Sequence, residues 1–391
     1  MLRHMLLTTA LLCSGLAAFF TVWIVVPAPS YSLFQVAVGA SEWSLWFGAL
    51  GLAGACLGLF ALAAGSRRTG WAALSLGAAA VALAMIPTLS ARRVARENNI
   101  ELSLRQYLFG RPEAPPASSE RTSETFASVE GQTLRLDVYL PMPKAARKRA
   151  AIVVVHGGSW NAGERGDYPQ WNEWLAGQGY VVFDIDYRLA PQPNWRTATG
   201  DVKCAILWVR ANASRYGVDE ARIALLGRSA GGHLALLAAY STGEASLAPS
   251  CAVSASGSPV RAVVSFYAPT NLEWGFAHPA NERVLDGRGR IRDFVGGTPE
   301  SAAEAFKLAS ATSHVRAQTP PTLLFHGGRD QLVRDENMAL LAARLAQENI
   351  PHRAVLIPYA QHGFDYNFNG WGAQIARQLM SDFLRAHLGE N

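Results

Sequence analysis

The chain has 391 residues, of which 50% are hydrophobic and only 17% charged, with a formal charge of +5. The excess is confined: residues 1–96 hold six Arg and a single acid, Glu42, and the rest of the chain balances. A basic stripe interleaved with aromatics is missing, so nucleic acid is not expected as a partner. The four cysteines have neither CxxC nor Cys/His spacing, which argues against zinc.

Met5–Val26, Trp43–Ala64 and Trp71–Leu89 are charge-free runs of 22, 22 and 19 residues. Each is long enough to cross about 30 Å of hydrocarbon as a helix. Arg3 before the first run also fits a cleaved signal peptide, but that run is long for one and two more follow, so it is read as an uncleaved anchor. The second run carries Gly51, Gly54 and Gly58, and the Gly54–Gly58 spacing lets another helix approach closely or simply faces lipid. Arg3 and Arg67-Arg68 suit the cytoplasm, and the loop Pro27–Glu42 has no Lys or Arg. Three spans then carry the C-terminal part outside. Arg92, Arg93 and Arg96 argue the other way; the outside placement is the one adopted.

Residues 1–90 therefore form a membrane domain of about three transmembrane helices, with the lipid bilayer as partner. Ala91–Phe109 reads as a basic, apolar helix on the membrane surface, and Arg111–Thr125, rich in Pro, Ser and Glu, as a linker. Residues 91–125 thus join the membrane domain to a catalytic domain spanning 126–391.

From Phe126 the pattern alternates strand and helix. Phe126–Val129 and Leu134–Leu140 flank a turn at Glu130-Gly131. Ala150–Val155, Val181–Tyr187, Arg222–Leu226, Ala262–Tyr267, Thr322–His326 and Arg353–Pro358 read as strands. Tyr168–Gln178, Ala198–Tyr216, Gly231–Tyr240, Arg334–Asn349 and Trp371–Leu388 read as helices. Apolar strands separated by helices predict an α/β fold, a mainly parallel sheet covered on both faces. Residues 271–318 interrupt this order and form a candidate cap over the strands' C-terminal edge. Cys204 and Cys251 can pair if this part meets an oxidising compartment.

Ala224-Leu225-Leu226-Gly227-Arg228-Ser229-Ala230-Gly231-Gly232 reads as a strand turning sharply into a helix. Gly227 and Gly231 relieve the crowding at the bend, and Ser229 is exposed at its apex as a nucleophile. A serine hydroxyl needs a base and the base an orienting acid. His362, after the strand ending at Pro358, and Asp330, after Phe325-His326-Gly327-Gly328-Arg329, supply them. Asp335 and Asp365 compete for the acid's role, but Asp335 suits a helix cap and Asp365 lies too near His362 in sequence. His156-Gly157-Gly158-Ser159-Trp160 follows an early strand, and its N–H groups with that of Ala230 can face a developing oxyanion. Trp160, Trp274, Tyr267 and Phe364 are candidate pocket walls.

These motifs, with Asp186-Tyr187-Arg188-Leu189-Ala190-Pro191 and His362-Gly363-Phe364, resemble the α/β-hydrolase superfamily. Within it they are similar to hormone-sensitive-lipase-like and acetyl-esterase carboxylesterases. The anchored arrangement also resembles isoprenylcysteine methylesterases by analogy. The resemblance implies a Ser229–Asp330–His362 esterase without metal or organic cofactor. It also implies an oxyanion hole of Gly158, Ser159 and Ala230 shaped by Gly157, and a small ester or lipid-like substrate. Ser159 replaces the usual third glycine. Arg228 stands where an acid, His or Gln is usual, and either favours an anionic substrate or makes a buried salt link. Alternatives are a formamidase or peptidase using the same triad, and a non-catalytic binding module.

Overall fold

The computed structural model describes residues 2–110, 120–142, 147–189, 192–252 and 260–389. The chain begins with helices α1 (Leu2–Thr21), α2 (Tyr31–Glu42), α3 (Ser44–Ala63) and α4 (Arg67–Glu97). Arg3–Ile24, Ser44–Ala63 and Arg67–Glu97 are long and apolar enough to cross a membrane. Small residues set their spacing. A Cβ on Gly51 would lie 2.9 Å from Ala80 of α4, and one on Gly58 would lie 2.8 Å from the Leu74 amide. Gly54 faces Ser14 of α1 instead. The two glycines of the GxxxG pair therefore serve two different neighbours, so α3 packs between α1 and α4.

Two local expectations change. Most of the loop expected at Pro27–Glu42 is α2, capped by Ser30, whose Oγ accepts from the Leu33 N–H at 3.4 Å. The helix expected at Ala91–Phe109 is split: α4 continues through Pro87 to Glu97, and α5 (Leu104–Phe109) stands alone.

Of the expected linker, residues 111–119 lie outside the described residues, and 120–125 belong to the first strand. The strands are β1 (Glu120–Val129), β2 (Gln132–Leu140), β3 (Arg149–Val155), β4 (Val181–Ile185), β5 (Val218–Arg228), β6 (Ala262–Phe266), β7 (Thr322–Gly327) and β8 (His352–Ile357). They form one sheet in the order β1-β2-β4-β3-β5-β6-β7-β8. The β1–β2 and β2–β4 pairs are antiparallel; all others are parallel. Central strands such as β3 and β5 are apolar on both faces because helices cover both. Those helices are α6 (Pro169–Gly177), α7 (Trp195–Ala211), α8 (Ala213–Tyr216) and α9 (Ala230–Tyr240). After β6 come α10 (Leu272–Ala277), α11 (Gly287–Val295) and α12 (Ala303–Ala309), all within residues 271–318. The chain ends with α13 (Glu336–Gln347) and α14 (Trp371–Leu388).

The N-terminal helices pack directly on this layered unit. Trp371 Nε1 donates to Thr88 Oγ1 at 3.0 Å, and its ring stacks on Tyr107 at 4.3 Å. Asn367 Nδ2 donates to the Glu42 carbonyl at 3.1 Å. Glu42 is buried at this seam; burial, and then the nearby Asp365, push its carboxyl well above the usual range.

Cys204 on α7 is disulfide-bonded to Cys251, with Cα atoms 5.7 Å apart across a separation of 47 residues. Closing a loop of that length restricts the unfolded chain by about 4 kcal/mol. Cys251→Ser is therefore expected to lower unfolding stability by about that much, read from urea melts; an unchanged midpoint would contradict it.

Candidate active site

The strand-to-helix turn sits between β5 and α9. Ser229 adopts φ 53° and ψ −122°, a strained conformation for a residue with a side chain. A Cβ on Gly227 would collide with the Gly231 carbonyl, and one on Gly231 with the carbonyls of Val155 and His156. Only glycine fits at either position. The Ser229 N–H donates to the Phe266 carbonyl at 2.9 Å, tying the bend to the end of β6.

The loop after β3 closes against this turn. A Cβ on Gly157 would lie 3.4 Å from Ser229 Cβ. Gly158, Ser159 and Trp160 all have positive φ, at 113°, 52° and 61°. Among the described residues, the N–H groups of Gly158 and Ser159 donate to no protein acceptor. The loop is braced from behind: Trp160 Nε1 donates to His233 Nδ1 at 3.1 Å, and His233 Nε2 bonds the Ala309 carbonyl at 2.7 Å. A carbonyl only accepts, so Nε2 carries the proton and Nδ1 is free to receive the indole's. His156 orders its own loop, with Nδ1 2.7 Å from the Gly157 carbonyl and its ring stacked on Tyr187.

Asp330 and His362 leave the sheet at the C-terminal ends of β7 and β8. His362 Nδ1 lies 2.6 Å from Asp330 Oδ2. Asp330 Oδ1 accepts from the Leu332 and Val333 N–H groups at 2.8 and 2.9 Å. A second histidine, His326, approaches the same carboxylate at 3.2 Å. Burial pulls the Asp330 carboxyl up, but His362 and His326 outweigh it and hold it below the usual carboxylate range. Tyr267 packs its ring 4.4 Å from that of His362 and follows Phe266, the acceptor of the Ser229 N–H. The serine bend and the histidine loop thus meet across β6. Asp335 stands at the start of α13 without a side-chain cap bond.

Arg228 makes a buried salt link. Its Nε lies 2.6 Å from Asp365 Oδ2, and Tyr267 donates its hydroxyl to Asp365 Oδ1 at 2.6 Å. The guanidinium lies over the Tyr168 ring at 4.1 Å. Arg228 precedes the serine and Asp365 follows His362 by three residues, so this pair ties the two loops together. From its place in the chain, Asp365 is only a rival to Asp330. The pairing has no local signature, because its partners lie 137 positions apart.

Ser229, Ala230, Ser159 and Trp160 share one pocket with Leu285, Ile291 and Leu332, of about 60 Å³. Of the four aromatic wall candidates, only Trp160 lines it. Tyr267 and Phe364 are buried in the core, and Trp274 stacks on His278. Part of the remaining wall comes from α10, α11 and their connection.

Among the described residues no cluster of His, Cys, Asp or Glu could hold a metal ion. A family model described as BD-FAE matches residues 136–345, more than half of the chain. The chain belongs to the BD-FAE family. Two curated proteins of Mycobacterium tuberculosis are similar to it. Esterase LipC is 34% identical over 238 residues, covering 59% of this chain and 57% of LipC. Esterase LipQ is 30% identical over 296 residues, covering 73% and 67%. The chain therefore spans between about half and two thirds of these relatives' length. Thermogutta terrifontis esterase 2, solved phosphonylated by sarin, superimposes with a TM-score of 0.58 at 27% identity, over 70% of this chain and 98% of that one. The same esterase, solved with propionate and with butyrate bound, gives 0.54 for each. This BD-FAE chain has the α/β-hydrolase fold, preceded by apolar helices.

Two outcomes follow from these contacts. Burial pulls the His233 imidazole down to about 4, whereas in the unfolded chain it titrates near ~6.5. The unfolded state takes up the proton first, so stability falls as pH drops from ~6.5 toward 4, by up to about 3 kcal/mol. His233→Gln should flatten the melting curves across that window, and an unchanged slope would contradict the assignment. Arg228→Met strands the buried Asp365 carboxylate and should cost about 3–5 kcal/mol. The double variant Arg228→Met/Asp365→Leu should recover more than half of that loss in the same melts; no recovery would contradict the pairing.

Proposed function

We propose that this chain is a membrane-anchored serine carboxylesterase. The hydrogen bond between His362 and Asp330, at the sheet edge where Ser229 also sits, is the observation that carries the reading. Ser229 attacks the ester carbonyl while His362 takes its proton, and Asp330 orients the imidazole and stabilises its charged form. The Gly158, Ser159 and Ala230 N–H groups, on a loop shaped by Gly157, stabilise the oxyanion, each by about 3 kcal/mol. The ester C–O bond breaks as the bond from Ser229 Oγ to the acyl carbon forms, and His362 passes the proton to the leaving alcohol. Water, deprotonated by His362, then cleaves the acyl-serine and releases the acid. The similarity to proteins named esterases supports this chemistry. The pocket's small volume supports short acyl groups, as does the capture of propionate and butyrate by the neighbouring esterase.

Residues 1–90 serve as the membrane domain and 126–391 as the catalytic domain, with 271–318 as its cap. Exposed Leu12, Leu16, Leu52, Phe60 and Leu76 on α1, α3 and α4 suit lipid contact. The orientation adopted sends the hydrolase outside. Arg3 donates to the Ala64 carbonyl and to Ser66 Oγ, which groups it with Arg67 and Arg68 at one end of the bundle. Contacts to the hydrolase come from the other end, through the Glu42 carbonyl and Thr88. The 31 residues of α4 span about 46 Å, more than the ~30 Å hydrocarbon, so Arg92, Arg93 and Arg96 extend beyond the bilayer on the hydrolase side. The disulfide suits an oxidising compartment.

Ser229→Ala is expected to lower p-nitrophenyl butyrate hydrolysis by at least about 10³-fold without changing the melting curve. Undiminished turnover would refute the assignment.

A further inference from the structure

A second cavity adjoins the pocket at Ser229. Pro279, Ala280 and Arg334 line both this pocket and a larger groove of about 430 Å³. The groove's other wall is Pro27-Ala28-Pro29, the connection between α1 and α2. This connection is held firmly against the catalytic loops. The Ala28 N–H donates to Gln331 Oε1 at 2.7 Å, and Asn281 Nδ2 donates to the Ala28 carbonyl at 2.6 Å. Arg329 donates to the Val25 carbonyl. Ala28, Phe34 and Val284 bury one another in a separate apolar cluster. Gln331 follows Asp330, and its Nε2 donates at 3.1 Å to Gln361, the residue before His362.

The two cavities differ in character. The Ser229 pocket is small and walled by Trp160, Leu285, Ile291 and Leu332. The groove is larger, with Pro27, Pro29 and Pro279 as well as Asn281, Arg283 and Gln331 along it. It suits the larger part of a substrate whose acyl end is short. Its location limits where that part comes from. Pro29 is five residues beyond Ile24, the end of the first apolar span, so a fully extended chain leaves it within about 18 Å of that end. Val26 and Tyr31, on either side of the connection, are exposed, as are Trp43 and Trp46 at the same end of the bundle. Such aromatic residues favour the level of the lipid headgroups.

We propose that the Pro27–Pro29 connection forms the alcohol side of the substrate site, and that the substrate is a short-chain acyl ester of an alcohol seated in the bilayer. The acyl group occupies the Ser229 pocket while the alcohol lies along the groove toward the membrane surface. This rests on Ser229 acting as the esterase nucleophile. It makes the N-terminal helices part of the substrate site as well as an anchor.

The test uses the full chain in phosphatidylcholine vesicles with two acetate esters: p-nitrophenyl acetate in solution and hexadecyl acetate in the bilayer. Pro29→Trp and Pro27→Trp each put an indole into the groove from an exposed position. The expected result is that kcat/KM for hexadecyl acetate, relative to that for p-nitrophenyl acetate, falls at least tenfold in both variants. Melting curves that match the wild type report that the variants are folded. An unchanged ratio in both Trp variants overturns the proposal, as does a wild-type chain that cleaves the soluble ester but not hexadecyl acetate. A wild-type chain that cleaves neither overturns the esterase reading and this proposal together.

Discussion

The crowding at the bend after β5 is the constraint on which the site depends. A strand that turns at once into a helix brings backbone against backbone, and here the contacts are closest at Gly227 and Gly231. The serine between them is held at a φ that costs on the order of 1–3 kcal/mol. That strain persists because the surroundings oppose its relaxation. The Ser229 N–H is fixed to the end of β6, Gly157 closes from the β3 side, and Arg228 is locked to Asp365. Relaxing the bend would break each of these at once.

The loops around the bend are wired to one another. Arg228, Asp365 and Tyr267 connect the nucleophile turn to the histidine loop. Gln331 and Gln361 connect the acid loop to the histidine loop. Ala28 and Asn281 bring the N-terminal bundle and the segment after β6 onto the same glutamine. The partners are buried or half-buried, where unpaired polar groups are costly, so the network favours a single arrangement of the three loops.

What could be read from the chain depended on how local its cause was. The bend at Ser229 was legible because Gly-x-Ser-x-Gly between an apolar run and a helix is a steric requirement contained in about ten residues. The parallel sheet was legible from continuous apolar strands, since both faces are buried. The first strand was read as starting at Phe126, whereas β1 starts at Glu120. Its polar residues 120–125 carry no apolar alternation, and what holds them is pairing with β2. The helix in Pro27–Glu42 was missed because proline and serine at its start read as loop, although Ser30 is its cap. Arg228's partner and the anchoring of Ala28 are long-range pairings. Only the assembled fold brings those residues together.

The central claim is that Ser229 is made nucleophilic by the Asp330–His362 pair. The most direct measurement treats the full chain with a fluorophosphonate, which bonds covalently to an activated serine, and maps the adduct by peptide mass. The account predicts one modified residue, Ser229, with labelling slowed at least about 10²-fold in His362→Ala. Labelling at a different serine, or labelling of Ser229 at an unchanged rate without His362, would contradict it.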